Sequence, residues 1–115
     1  MSIANYQDYN CDTTVTIAAS GTESGAVDLN GTRVVGIITP AELTGTALTL
    51  KASFDGTNFH DMYNKDGVQM TITVAASRWI ALAPADLAGV RYLKLVSGST
   101  EAAERTIAIV TRPLS

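Results

Sequence analysis

The sequence predicts an all-β domain, an antiparallel β-sandwich of the jelly-roll kind. Eight or nine short apolar segments follow one another along the 115 residues, and turns rich in Gly and Pro separate them at near-regular intervals. Hydrophobic residues make up 46% of the chain, enough for a core, and the length corresponds to one domain. We therefore expect a single sandwich over residues 13–115, preceded by a polar arm over residues 1–12.

The first two predicted strands are short. Apolar residues at alternate positions predict a strand over residues 15–19, because alternate side chains of a strand lie on one face, and Gly21 follows its end. A second strand over residues 26–29 leads into Asn30 and Gly31. This pair accepts the positive φ angles of a tight hairpin turn, so we expect a hairpin there.

The central stretch, residues 33–63, predicts a strand, a short turn, a second strand, a hairpin and a third strand. A run rich in β-branched residues indicates a buried strand that ends before Pro40. The next strand has polar residues at every second position, so four apolar side chains should face the core: Leu48, Leu50, Ala52 and Phe54. Asp55 and Gly56 then predict a second tight hairpin.

Four further strands follow, over residues 68–74, 78–82, 91–97 and 105–112. The first of them alternates cleanly between apolar and polar residues, and the second holds Trp79, the only tryptophan in the chain. The last strand is apolar on both faces, with Ile107 and Ile109 on one face and Ala108 and Val110 on the other. Pro113 stops strand pairing near the end of the chain.

Residues 35–53 and 79–97 are similar to each other. Aligning them matches Pro40 with Pro84, Leu43 with Leu87 and Gly45 with Gly89. In both copies Pro stands where it favours the start of a helical turn and Gly where it favours the end. We therefore expect two short helical connectors, each leading from one sheet to the other and each placing a leucine against an end of the core.

Charge and cysteine content exclude several classes of function. The net charge of −3 and a pI near 4.9 do not suit a phosphate-backbone partner, so we expect no nucleic-acid binding. The single cysteine, Cys11, cannot form an internal disulfide and fits synthesis in a reducing cytoplasm. We see no signal-peptide pattern and no run of about 18 apolar residues, and so expect no membrane span.

Few residues suggest chemistry. His60, the single histidine, has no nucleophile motif near it, and a surface or hydrogen-bonded structural histidine is the better interpretation. Asp55, Asn58 and Asp61 are oxygen donors without the ligand spacing of a calcium loop. Two acids in the matching connectors, Glu42 and Asp86, could in principle form a glycosidase pair, but acids in a first helical turn need no catalytic role. We expect no enzyme activity, no metal and no cofactor.

Residues 28–114 contain a Gly-Ile strand before Pro-Ala, a Thr-Gly connector, a Ser-x-Asp-Gly hairpin, the strand RYLKL and the ending ERTI. In this pattern the chain resembles a family of small virion proteins of tailed bacteriophages. The resemblance implies a capsid decoration or cement protein on the outer surface of the head. It would be made in the host cytoplasm and bind the major capsid protein, as a homo-oligomer, a trimer, at threefold junctions.

Two other classes of function remain open. A carbohydrate-binding or host-attachment sandwich on a head fibre, tail or baseplate would need an aromatic platform, for which Trp79, Phe59 and Tyr63 are candidates. A hydrolytic tail protein would need carboxylates or a nucleophile at close range, and is the weakest alternative. A glycan array separates carbohydrate binding from the structural role.

The arm supplies the candidate contact residues of the structural role. Tyr6 and Tyr9 would anchor it on the major capsid protein or a neighbouring copy, because tyrosine buries a rigid ring and keeps a polar hydroxyl. Gln7 and Asp8, between them, would pair with backbone edges of the partner. The alternative is that the arm folds back on its own domain as an edge strand.

Overall fold

The structure, a computed structural model, describes residues 13–113. In this range the chain forms nine strands and one short helix: β1 (Thr13–Ile17), β2 (Val27–Asp28), β3 (Thr32–Ile38), β4 (Ala47–Ser53), β5 (His60–Asp61), β6 (Thr71–Thr73), β7 (Trp79–Ala81), α1 (Pro84–Leu87), β8 (Tyr92–Ser97) and β9 (Arg105–Pro113). The four-residue helix α1 is far shorter than a membrane span, and residues 13–113 contain no helix that could cross a bilayer.

The strands form two antiparallel sheets. The four-stranded sheet has the order β1-β9-β3-β7, and the five-stranded sheet has the order β2-β8-β4-β5, with β6 also paired to β4. From β1 to β4, and again from β7 to β9, successive strands alternate between the two sheets. Strands β1 and β9 are neighbours. This is the rolled path of a jelly roll, so the predicted fold class is confirmed.

The core lies between the sheets and follows from the alternation of apolar residues along the strands. Ile107 and Ile109 of β9 face Leu93 and Leu95 of β8 in one continuous cluster, and each of the four is at most 1% exposed. Leu48 and Leu50 of β4 lie in the same cluster. Side chains at the intervening positions of these strands point away from the core.

Only one of the two predicted helical connectors is a helix. Both connectors pass from the four-stranded to the five-stranded sheet as expected, and Leu87 is buried in the core while Leu43 packs against it. Residues 84–87 form α1, but residues 41–42 form only a turn. The physical reason is Glu101, whose carboxylate accepts hydrogen bonds from the backbone N–H groups of Thr44 and Gly45 and so competes with helical pairing.

The end of β4 differs from the prediction. Leu48 and Leu50 are buried, but Phe54 is 85% exposed, whereas Ser53 is only 5% exposed. Ser53 Oγ accepts hydrogen bonds from the N–H groups of Asp55 and Gly56, so the chain turns immediately after β4. The period of two therefore ends one residue before Phe54, which lies on a loop.

Both predicted hairpin turns form turns, but neither joins a two-residue hairpin. Asn30 and Gly31 have φ angles of 49° and 80°, yet they connect β2 and β3, which belong to different sheets. Gly56 has a φ angle of 81°, but the first pair after this turn is Ala52 with His60, so the connection is a longer loop. A turn signal specifies local backbone angles and leaves open which strands will pair.

Candidate functional site

The outward side of the four-stranded sheet is uncharged except at one end, and we call it the outer face. It follows from the strand register, because cross-strand partners point to the same side of a sheet. Most of its residues are apolar or carry a hydroxyl group: Thr14, Thr16, Gly36, Ile38, Trp79, Ala81, Thr106, Ala108 and Val110. Two arginines, Arg33 and Arg112, lie at one end. No acidic residue occupies these positions.

Trp79 is the largest side chain on the outer face. It begins the edge strand β7 opposite Ile38 and is 63% exposed. The indole leans over Gly36, where an added Cβ would lie 3.1 Å from the indole Nε1. The absence of a side chain at Gly36 thus allows the ring to approach the sheet while much of it stays open to solvent.

The other end of the outer face is positively charged. Arg33 of β3 and Arg112 of β9 are direct cross-strand partners, and like charges in that arrangement repel. Within residues 13–113, the Nε of Arg33 is buried and has no hydrogen-bond partner. Arg112 donates from Nη1 to the carbonyl oxygen of Thr111 at 2.6 Å. Two guanidinium groups therefore lie side by side at this end of the face.

The outward side of the five-stranded sheet carries charges of both signs that pair with one another. Glu23 accepts hydrogen bonds from Lys51 at 2.8 Å and Lys94 at 3.0 Å, and these bonds hold the pKa of Glu23 below its ordinary value. Lys94 also lies 4.5 Å from the centre of the Phe59 ring. Asp61 of β5 is the cross-strand partner of Lys51. These are exposed pairs that satisfy one another and leave no convergent charge for a ligand.

A second paired group lies where β8 begins. Arg91 binds Asp28 at 2.6 Å, which lowers the pKa of Asp28, and its guanidinium lies 5.2 Å from the centre of the Tyr92 ring. Gly56 also packs against this ring, since an added Cβ there would lie 3.2 Å from Tyr92. Tyr92 is thus half-buried by its own chain and offers no platform.

The oxygen-rich β4–β5 loop is held by its own hydrogen bonds. The carboxylate of Asp55 accepts from the N–H groups of Asn58 and Thr57, from the Ser53 hydroxyl and from the Asn58 side-chain amide, at distances of 2.8 to 3.0 Å. These bonds, led by those from Asn58 and Thr57, hold the pKa of Asp55 far below its usual range. The oxygens that could have ligated calcium are used to form the loop. Across residues 13–113, no three His, Cys, Asp or Glu side chains converge.

The other candidate residues for chemistry do not come together. Glu42 and Asp86 are exposed in connectors that follow β3 and β7, and because these strands are antiparallel neighbours the connectors leave from opposite ends of the sandwich. They cannot act on one glycosidic bond. His60 is exposed on β5. The predicted aromatic platform of three residues does not form, since Trp79 lies on the four-stranded sheet whereas Phe59 and Tyr63 flank β5 of the five-stranded sheet.

A small cleft opens between the sheets beside α1. Its volume is about 110 Å³, and its lining is mostly apolar, with Asp86 and Thr71 at its polar edge. Ligand pockets usually have volumes of roughly 300 to 1,000 Å³. The cleft is a packing gap on that scale and is too small for a sugar ring with its contacts.

Glu101 is the buried charged group of the described chain. It is fully buried and accepts hydrogen bonds from Thr44 N and Gly45 N at 2.9 Å, Ser97 Oγ at 2.8 Å and Arg105 Nε at 3.1 Å. Burial works against its ionisation, but the bonds from Thr44, Ser97, Gly45 and Arg105 outweigh burial and keep its pKa below the ordinary value. With its acceptor sites occupied in this way, Glu101 holds three chain segments together.

The four arm residues predicted to make contacts, Tyr6, Gln7, Asp8 and Tyr9, lie outside the described residues. The outer face itself was not singled out from the sequence. The sequence does indicate it, because the predicted last strand is apolar on both of its faces and only one face can point into the core.

Comparisons with known proteins give no family. No protein-family model matches the chain, and no curated protein matches it. Among solved structures, the chain is similar to the carbohydrate-binding module CBM32-1 from a family 31 glycoside hydrolase of Clostridium perfringens, with 15% sequence identity and a TM-score of 0.39, over 92% of this chain and 78% of that chain. The fold assignment therefore rests on the strand order of the chain itself.

Proposed function

We propose that this chain is a non-enzymatic structural protein of a tailed-phage particle, a decoration protein that stabilises the head by binding the major capsid protein. The resemblance over residues 28–114 supports the phage assignment. The observation that carries the binding role is the outer face, which has an exposed tryptophan, no acidic residue at its paired positions and arginines only at one end. Interface cores are depleted in charge and enriched in aromatic residues and arginine, which is the composition of this face.

The short edges of the sandwich favour contact through a face over strand addition. Edge strands β2, β5 and β7 have only two or three residues each. The five-residue edge strand β1 is partly covered, because Ser24 bridges to Ile17 and Gly25 N–H donates to Thr16. Short or covered edges resist pairing with another chain. We therefore assign the partner contact to the outer face, and the contacts of the arm residues Tyr6 to Tyr9 stay a separate prediction.

The proposal includes an oligomer on the virion surface. A protein that braces a shell must bridge at least two capsomers, and a trimer fits the threefold junctions of a capsid. Native mass measurement of the purified protein in solution should then give the mass of a trimer. A monomer in solution combined with isolated copies on the virion would contradict the trimer.

Replacing Trp79 by alanine is expected to weaken retention on phage heads at least tenfold. Trp is frequent among the few interface residues that carry most of the binding energy, and its removal there commonly costs about 2 kcal/mol or more. The measurement is binding of the purified variant to heads stripped of this protein, quantified by sedimentation. Thermal unfolding of the same sample checks that the sandwich still folds.

Phe54→Ala is the matched control for this experiment. Phe54 is also a large exposed aromatic, at 85% exposure, but it lies on the β4–β5 loop, away from the outer face. Its loss should leave retention unchanged. Equal weakening by both variants, or by neither, would contradict the assignment of binding to the outer face.

Carbohydrate binding is the second candidate function. The observation that favours it is the same exposed indole, because a flat aromatic ring beside hydroxyl groups can stack on a sugar, and Trp79 shares its face with three threonines, Thr14, Thr16 and Thr106. A glycan array separates the two. Host attachment would be favoured over the capsid role by two results together. A glycan would bind the wild type and not Trp79→Ala, and retention of this variant on heads would be unchanged.

A further inference from the structure

We propose that Gly36 is a positioning residue for Trp79. Because Gly36 has no side chain, the indole lies across β3, and this is the orientation in which it binds the partner. The inference rests on the proposed function, since it adds a second residue to the contact made by the outer face. It also predicts a property of the free protein, namely that the indole is held in place before any partner binds.

The strand register places Gly36 diagonally from Trp79. Trp79 of β7 pairs with Ile38 of β3, and Gly36 precedes Ile38 by two residues, on the same side of the sheet. Diagonal neighbours of this kind lie within reach of an aromatic side chain. A Cβ added at Gly36 would lie 3.1 Å from Nε1 and 3.7 Å from Cδ1 of Trp79. The five-membered ring of the indole therefore packs where a side chain of residue 36 would be.

The position of the ring is determined by packing and not by a hydrogen bond. Within residues 13–113, the indole N–H donates to no protein acceptor. Gly36 is buried although it lies on the outward side of the sheet, and the indole is one of the groups that cover it. Aromatic rings that cover a glycine on a neighbouring strand help to fix the arrangement of a sheet. The contact with Gly36 therefore holds the ring, and the N–H stays available to the partner.

A ring that is held in advance binds more tightly than a mobile one. Fixing a flexible side chain at an interface costs free energy on binding, and a side chain that is already fixed in the free protein avoids this cost. Gly36→Ala should displace the indole, because the added Cβ would be too close to Nε1 for the ring to keep its place. We expect the variant to bind the partner about three- to tenfold more weakly, the factor that corresponds to ordering one side chain.

Fluorescence of the free protein is the first test. Trp79 is the only tryptophan in the chain, so the emission of the protein reports on this one ring. Time-resolved anisotropy of the wild type should show an indole that rotates with the whole domain. Gly36→Ala should about double the amplitude of the fast component of the decay, on the picosecond to nanosecond scale of free side-chain motion. A wild-type ring that already moves independently of the domain would overturn the proposal, whatever is found on heads.

Gly21→Ala is the matched control. A Cβ added at Gly36 would also lie 3.0 Å from the carbonyl oxygen of Ile80, so the substitution crowds the backbone as well as the indole. At Gly21, in the loop between β1 and β2, an added Cβ would lie 3.1 Å from the carbonyl oxygen of Ala18, with no tryptophan near it. Gly21→Ala should change neither the anisotropy nor the retention on heads. Equal effects of the two variants would show that crowding of a backbone carbonyl is the cause, and the positioning role would be wrong.

Binding to stripped heads is the second test, at a temperature at which thermal unfolding shows every variant to be folded. Gly36→Ala should weaken retention about three- to tenfold in the wild-type background. In the Trp79→Ala background it should change retention by less than about twofold, because Gly36 acts only through the indole. An equal loss in both backgrounds would contradict the positioning role. If Trp79→Ala binds heads as the wild type does, the proposed function fails and the role of Gly36 in binding fails with it, while the anisotropy still shows whether the ring is held.

Discussion

Replacing Glu101 by alanine is expected to lower the free energy of unfolding by about 3 to 5 kcal/mol, the usual cost of breaking a buried ion pair from one side. The variant leaves Arg105, whose side chain is 12% exposed, without its carboxylate. It also leaves the N–H groups of Thr44 and Gly45 without their acceptor. A domain of this size has only about 5 to 15 kcal/mol of stability in total. A large fall in the urea midpoint is therefore expected.

Glu104→Ala is the matched control, because Glu104 lies on the same β8–β9 loop and is exposed. Its substitution should change the free energy of unfolding by less than about 0.5 kcal/mol. If the two variants unfold at the same urea concentration, Glu101 does not hold the three segments together as described.

The pH dependence of stability follows from the same group. The folded-state pKa of Glu101 is below the ordinary value of 4.5, so its ionised form stabilises the folded state. That contribution is fully present above the unfolded-state pKa and is lost as the pH falls through the folded-state pKa. The difference in the free energy of unfolding between the wild type and Glu101→Gln should therefore become smaller as the pH is lowered below about 4. A gap that stays constant from neutral pH to acid would show that the charge contributes nothing.

The strands of this chain could be predicted from the sequence because local alternation determines them. In β8, Leu93 and Leu95 alternate with Tyr92 and Lys94, and the structure buries only the leucines fully. The transfer of the chain between sheets at the connectors could also be predicted, since Pro and Gly delimit both of them. Such features depend on neighbouring residues, which a sequence shows directly.

Features that depend on distant residues could not be predicted. The connector at Thr44 and Gly45 is not helical because of Glu101, which lies 56 residues beyond Gly45. The exposure of Phe54 depends on a hydrogen-bonded loop whose acceptors, Ser53 and Asp55, look like ordinary turn residues. The outer face required the strand order, because only pairing places Trp79 beside Ile38 and Gly36.

Gly45→Ala is expected to lower the free energy of unfolding by about 3 kcal/mol, near the upper end of the cost of overpacking a filled site. A Cβ at Gly45 would overlap Ser97 Oγ and lie 3.3 Å from Glu101 Oε2. The hydroxyl cannot move aside freely, because it donates to Glu101 at 2.8 Å. The backbone angle is not the cause, since Gly45 does not have a positive φ.

Gly89→Ala is the control that the sequence itself provides, because Gly89 is the counterpart of Gly45 in the second connector. An added Cβ at Gly89 would meet no atom within 4 Å. The substitution should be neutral or raise stability by up to about 1 kcal/mol, since alanine has less conformational freedom in the unfolded chain. Equal losses for the two variants would mean that loss of glycine flexibility, and not the contact with Ser97, explains the effect.

The double variant of Gly45→Ala with Glu101→Ala tests whether the two residues act as one unit. With Glu101 truncated, Ser97 Oγ keeps only the carbonyl oxygen of Ser99 as an acceptor, and the space left by the carboxylate lets the hydroxyl shift away from the added methyl group. The second substitution should then cost less than it does alone, by about 1 kcal/mol or more, because residues in one hydrogen-bond network are not additive. Urea unfolding of the wild type, both single variants and the double variant measures this coupling. Strict additivity would show that the fit of Gly45 depends on the backbone around it, independently of the buried carboxylate.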